Sequence, residues 1–199
     1  MANNKPANKS DNTIANNKII SIVGMCGAGK TDVSEFLKQK GFSYVRFGDI
    51  TMDELKKRNL EINEKNERFI RESLRKEYGM AVYAKLTIPK LESLLKEGNV
   101  IADGLYSWEE YLILKEKFGK NILVLNIQTS PETRTKRLVS RKIRPLTKEE
   151  VASRDKSEIE NLKKGGPIAM ADYTITNEGT PEDLKNSLNI FYNWINGGN

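Results

Sequence analysis

Apolar and polar positions along the chain follow two alternating rhythms. Short runs rich in β-branched and aliphatic residues, at 18–23 (KIISIV), 42–47 (FSYVRF), 99–103 (NVIAD), 122–127 (ILVLNI) and 172–176 (DYTIT), predict five strands. Between them lie longer stretches with helical spacing. Residues 31–40 carry Val33, Phe36 and Leu37 on one face and end at Gly41. Residues 51–78 read as helix interrupted near Asn59, with Ile62, Phe69, Ile70, Leu74 and Tyr78 in one stripe. Residues 80–97 continue helically, with Pro89 as a kink or restart. Further helices are expected at 107–118, at 131–141 with Pro131 in the first turn and Thr129 or Ser130 as cap, and at 181–195 with Leu184, Leu188, Phe191 and Ile195 aligned. Strands separated by helices imply a parallel sheet covered on both faces, a single α/β domain.

Composition narrows the chemistry. A chain of 199 residues, 38% of them hydrophobic, is long enough for one domain with a sizeable core. Nothing approaches the roughly 18 consecutive apolar residues of a membrane span. Residues 1–17 (MANNKPANKSDNTIANN) lack the apolar core of a secretory signal; rich in Asn, they predict a disordered tail ahead of a domain at 18–199. The single cysteine, Cys26, permits no intrachain disulfide and points to a reducing compartment, the cytoplasm. With no histidine, a zinc site is disfavoured and histidine base catalysis is excluded. Carboxylates, Lys, Arg, hydroxyls and a hard metal ion remain. The formal net charge is +6, and residues 134–164 hold eleven Lys/Arg against five Asp/Glu, so the excess sits in one stretch. Such a stretch is a nucleic-acid surface, a cluster that closes over polyphosphate, or a solvated helix face.

The segment Gly24-Met25-Cys26-Gly27-Ala28-Gly29-Lys30-Thr31 fits G-x-x-x-x-G-K-[ST] at every fixed position, between a predicted strand and a predicted helix. Its glycines let backbone N–H groups turn inward around phosphate oxygens, and the helix N-terminus adds its dipole. Lys30 is expected to reach the β- and γ-phosphates and the Thr31 hydroxyl to hold Mg²⁺. Cys26, at a variable position, is a small filler in preference to a redox switch. Asp103 closes an apolar strand, as a Walker-B-type metal carboxylate does; the alternative is a turn or cap aspartate before Gly104. Asp49, after the second strand, falls over the same crevice, and it also suits the N-cap of a helix at 51–58.

Within the basic stretch Arg134, Arg137, Arg141 and Arg144 lie about one turn apart, which stacks them on one helical face, with Arg154 beyond a connection containing Pro145. Arginine is shaped for phosphate, and such a face suits a lid that closes over a polyphosphate. Salt bridges to Glu132, Glu149 or Glu150 are the alternative. Together, GMCGAGKT (24–31), FGDI (47–50), IADG (101–104), SPETRTKRLVSR (130–141), RD (154–155) and ADYTITNEGT (171–180) make residues 19–195 resemble the adenylate-kinase-like P-loop kinases, on the side of the archaeal-type family related to dephospho-CoA kinase. The resemblance implies a five-stranded parallel sheet, ATP and Mg²⁺. It also implies Asn177 to Gly179 near the adenine, and Arg137 and Arg141 in a mobile lid at 134–164. Related sequences commonly carry an arginine three residues after the Asp of the GD motif. Met52 stands there instead, so a grip on an acceptor phosphate falls to Arg58, Arg71 or Arg75 on the acceptor-binding helices, 51–97.

The expected activity is transfer of the γ-phosphoryl group from ATP to a small-molecule acceptor. The acceptor is either a nucleoside monophosphate or a hydroxyl such as that of dephospho-CoA, for which Asp49 is the candidate base. A P-loop ATPase or switch acting on a protein partner is the alternative. A nucleic-acid partner is disfavoured, because the basic stretch lacks interleaved aromatics for stacking bases. No oligomeric state is specified by the pattern.

Overall fold

Ile19–Val23 is buried along its whole length and forms the central strand, β1. The computed structural model describes residues 17–197. The other strands are β2 (Ser43–Arg46), β3 (Val100–Asp103), β4 (Ile122–Gln128) and β5 (Tyr173–Thr176). They form one parallel sheet in the order β2-β3-β1-β4-β5. The helices are α1 (Lys30–Gln39), α2 (Asp49–Lys57), α3 (Glu64–Tyr78), α4 (Val82–Leu95), α5 (Trp108–Phe118), α6 (Pro131–Ser140), α7 (Lys148–Glu160), α8 (Gly165–Ala169) and α9 (Pro181–Ile195). The expected five-stranded α/β domain is therefore the fold, with each strand trimmed or extended by about a residue.

Because successive residues of a strand face opposite sides, β1 serves two cores. Ile20 and Ile22 pack with Val33, Leu37, Leu188 and Phe191 under α1 and α9. Ile19 and Val23 pack on the other face with Leu55, Ile70, Leu91 and Leu114 of α2 to α5. Side-chain caps set several helix starts: Ser130 accepts from the Thr133 N–H, and Ser107, Thr147 and Thr180 each form a reciprocal capping box.

Three expectations change. Of the stripe on 51–78, only Ile70 and Leu74 are buried, while Ile62, Phe69 and Tyr78 are exposed. Ile62 precedes α3, and Phe69 is turned 100° from Ile70 on the helix. The expected break near Asn59 is present: α2 ends at Lys57 and Asn59 takes a left-handed φ of 54°. Pro89 neither ends nor restarts a helix, because α4 runs through it. Asp49 is the first residue of α2, after Gly48, and not its cap. The tail expected at 1–17 lies outside the described residues except for Asn17, whose side chain donates to the Leu95 carbonyl at 2.8 Å. Among the described residues no helix is long and apolar enough to cross a membrane.

Candidate active site

The phosphate loop joins β1 to α1 at the carboxyl edge of the sheet, where crevices of parallel sheets open. Two glycines are obligatory for close approach. A Cβ on Gly24 (φ 135°) would meet the Ile127 carbonyl oxygen at 2.5 Å, and one on Gly29 (φ 98°) would meet Asn177 Nδ2 at 2.5 Å. Asn177 is buried and donates from Nδ2 to the Ala28 carbonyl at 2.9 Å, and Thr129 Oγ1 donates to the same oxygen at 3.3 Å. Lys30 folds back over the loop, donating to the carbonyls of Gly24 (2.9 Å) and Met25 (3.0 Å). Burial, and then the nearby charge of Lys164, lower its pKa to about 8.

The loop borders a cleft of about 720 Å³. Cys26, Gly27, Gly29, Lys30, Thr31, Arg137, Arg141, Asn177 and Gly179 all line it, so residues named from distant parts of the sequence do converge. Gly24, Met25 and Ala28 belong to the loop without lining the cleft; Ala28 is packed into the core. Arg137 reaches Asn177 Oδ1 at 3.5 Å, and its Nη1 is buried with no hydrogen-bond partner among the described residues.

The arginine run does not form one face. Arg134 turns inward and is buried, bidentate to Asp155 of α7 at 2.8 and 2.7 Å, and it also donates to the carbonyls of Cys26 (3.1 Å) and Thr129 (3.3 Å). It braces the loop. Helix α6 stops at Ser140, Arg141 is extended, and Arg144 sits in a left-handed turn with its carbonyl accepting from Arg141 Nε at 2.6 Å. Of the four, Arg137 and Arg141 line the cleft. The partner of Arg134 is none of the glutamates considered from sequence, because the loop after α6 folds α7 back against it.

Asp103, at the end of β3, accepts from the Tyr44 hydroxyl at 2.6 Å. Burial and this bond push the Tyr44 pKa up, so its proton stays on the phenol and fixes the carboxylate. Asp103 is the strand neighbour of Ile22, two residues before the loop. Asp49 is exposed, with Arg46 at 4.0 Å. On the α2–α4 side, Thr51 and Tyr83 share a hydroxyl hydrogen bond of 2.7 Å. Arg75 lies 4.9 Å from the Tyr83 ring centroid, and its Nε is buried with no hydrogen-bond partner among the described residues. Arg58 and Arg71 are paired on their own helices with Glu54 and Glu67. Of the three substitutes for an arginine at 52, Arg75 alone brings an unsatisfied buried donor.

Sequence reasoning missed four residues, two of them charged and against the loop. Glu158 of α7 accepts from the Cys26 backbone N–H of the loop at 3.3 Å, and Lys164 donates to the same Glu158 oxygen at 2.8 Å. In the sequence they look like a surface-helix glutamate and one of a pair of loop lysines. Tyr44 and Tyr106 carried no signal either; burial pushes the pKa of Tyr106 up to about 12.

A glycine-rich loop between the first strand and helix of a five-stranded parallel sheet, opening on an arginine-lined cleft, defines a P-loop kinase-like domain. Residues 20–163 match the protein family described as AAA domain. The chain belongs to the UPF0200 family: it is 36% identical over 171 residues to a UPF0200 protein of Thermococcus kodakarensis, spanning 84% of this chain and 92% of that one. Among solved structures it is similar in fold to the shikimate kinase of Acinetobacter baumannii in complex with shikimate, with a TM-score of 0.58 and 23% identity over 94% of this chain and 96% of that one. The shikimate kinase of Bacteroides thetaiotaomicron gives a TM-score of 0.57 at 15% identity, over 90% of this chain and 98% of that one.

Proposed function

We propose that this protein transfers the γ-phosphoryl group of ATP to a small acceptor. The observation that carries the proposal is the cleft itself: the phosphate loop shares it with Arg137, whose buried Nη1 has no partner among the described residues. An anionic ligand satisfies that donor, and a triphosphate laid along Gly24 to Thr31 is such a ligand. Asn177 and Gly179 then lie on the side where the base of the nucleotide is expected.

The residues present fit a magnesium ion. Mg²⁺ keeps several waters and takes one or two protein ligands beside the substrate phosphates, and Thr31 with Asp103 supplies a hydroxyl and an oriented carboxylate on neighbouring elements. The ion neutralises charge on the phosphates when bound. The protein's own groups do the rest. Lys30 leaves the Gly24 and Met25 carbonyls for the phosphates, Arg137 and Arg141 approach from the cleft wall, and positioning with charge neutralisation drives in-line transfer.

The acceptor site is assigned to α2–α4, where Arg75 offers a cation and Asp49 a solvent-exposed carboxylate. For an acceptor hydroxyl, as in dephospho-CoA or shikimate, Asp49 takes the proton; a nucleoside monophosphate needs no base. A thermal-shift screen with a non-hydrolysable ATP analogue tests these together, because a ligand of the folded state raises the midpoint. Dephospho-CoA, shikimate and the nucleoside monophosphates belong in it. Asp49→Asn is then expected to lower turnover about 10²-fold or more at unchanged nucleotide affinity. Unchanged turnover rules out a hydroxyl acceptor. If no acceptor stabilises the protein while ATP is hydrolysed, the reading as a nucleotide-dependent ATPase or switch with a protein partner takes over.

A further inference from the structure

A carboxylate lies against the phosphate loop. Glu158, with only 11% of its side chain exposed, accepts the Cys26 N–H, one of the loop donors that a phosphate oxygen would take. The same carboxylate oxygen accepts from Lys164 Nζ at 2.8 Å, and its other oxygen lies 3.5 Å from Arg154 Nε. The Lys164 side chain is 2% exposed, with the Tyr106 ring centroid 4.7 Å from its ammonium. A carboxylate thus holds a phosphate-type position between a backbone donor and two cations.

We propose that Glu158 is an internal stand-in for a nucleotide phosphate, and that Lys164 is a phosphate-binding residue which Glu158 occupies until the triphosphate arrives. The proposal rests on the triphosphate reading of the loop. A phosphate at the Cys26 N–H cannot share that donor with a carboxylate, since two anions at contact distance repel. Glu158 therefore moves when the triphosphate binds. Its departure leaves Lys164 as a buried, unpaired ammonium, which is strongly unfavourable unless another anion replaces it. The arriving phosphate is that anion. Lys30 belongs to the same charge cluster: Lys164 depresses its pKa and Glu158 raises it. Glu158 lies on α7 one turn after Asp155, the partner of Arg134, which bonds the Cys26 carbonyl. Exchange of Glu158 for phosphate is thereby coupled to the helix that packs over the loop.

The test compares the full-length wild type with Glu158→Gln and with the double variant Glu158→Gln/Lys164→Met, measuring the Kd of a non-hydrolysable ATP analogue by calorimetry. Glu158→Gln keeps an acceptor for Cys26 but removes the competing charge, and it is expected to tighten binding about tenfold. Lys164→Met in the Glu158→Gln background is expected to cancel that gain, and this double variant carries no unpaired buried charge that would unfold it. Equal or weaker binding by folded Glu158→Gln overturns the stand-in role. A double variant that binds as tightly as Glu158→Gln overturns the role of Lys164. Failure of both wild type and Glu158→Gln to bind any nucleotide overturns the triphosphate reading itself, and the proposal with it.

Discussion

Around the phosphate loop, Asn177, Thr129 and Arg134 reach in from different segments, and each donates to a loop carbonyl. On the face of the sheet opposite α1 and α9, α2 to α4 are held chiefly by the apolar core, with α2 and α3 joined through the left-handed Asn59 and the Thr51–Tyr83 hydroxyl pair as a polar tie. That side also exposes Ile62, Phe69, Tyr78 and Leu86. Directional bonds from several elements hold backbone donors to a fixed position, which is what a phosphate cradle needs. Apolar contacts are less directional, and a helix pair with a short joint is the kind of element that shifts as a body. The phosphate-loop side is built as a fixed frame, the α2–α4 side as a surface that can adjust.

The largest effect is expected at the centre of the frame. Lys30→Met should lower phosphotransfer by about 10²–10³-fold while leaving the fold intact by circular dichroism. Because the Lys30 pKa is about 8 and phosphates raise it, nucleotide binding near pH 8.5 should take up a proton in the wild type and not in this variant. Calorimetry in buffers of different ionisation enthalpy measures that difference. Next is Arg134→Met, which strips the donors from Asp155, Cys26 and Thr129 at once. It should cost about 3 kcal/mol in urea unfolding and weaken nucleotide binding as well. A loss of stability with unchanged nucleotide affinity would show that the frame does not hold the loop in its binding form.

On α5, which packs against α4 in the same core as α2 and α3, Glu110 is buried and its Oε1 has no hydrogen-bond partner among the described residues; burial pushes its pKa up to about 7. A carboxyl raised in the folded state binds more protons folded than unfolded between about pH 4.5 and 7. Its contribution to stability therefore falls as pH rises through that window and stays low above it. Glu110→Gln should remove this decline, gaining at most ~3 kcal/mol over wild type at pH 8 and nothing near pH 4.5. A pH-independent difference would mean that Glu110 is compensated, and that this side is as well satisfied as the other. The smallest effect belongs to the exposed Phe69: Phe69→Ser should change stability by less than about 0.5 kcal/mol. A larger loss would place Phe69 in a packed contact and make the α2–α4 side more rigid than its surface implies.

The features that could be read from the chain share one property: their physics is local. The loop 24–31 needs glycines and a lysine at fixed spacing, and the strand that ends at Asp103 follows from a short apolar run. The resemblance implies a nucleotide-side position for Asn177, and the fold adds its place in the cleft wall and its bond to the Ala28 carbonyl. The arginine run misled because helical spacing was carried past Ser140, where the helix ends and Arg141 and Arg144 leave the face. Arg134 misled for another reason. Its neighbours in sequence are polar, and nothing local reveals that α7 folds back to bury it against Asp155.

By itself, then, the sequence determined the parallel sheet, its two apolar faces and the phosphate loop, because hydrophobic period and glycine spacing act within a few residues. The tertiary structure alone decided the charges at that loop. Glu158 lies 132 positions from Cys26, and Lys164 follows six residues later; they meet only when α7 packs over the loop. Burial then turns two ordinary surface-type charges into an obligatory pair, because in a site closed to water neither can be left without a partner.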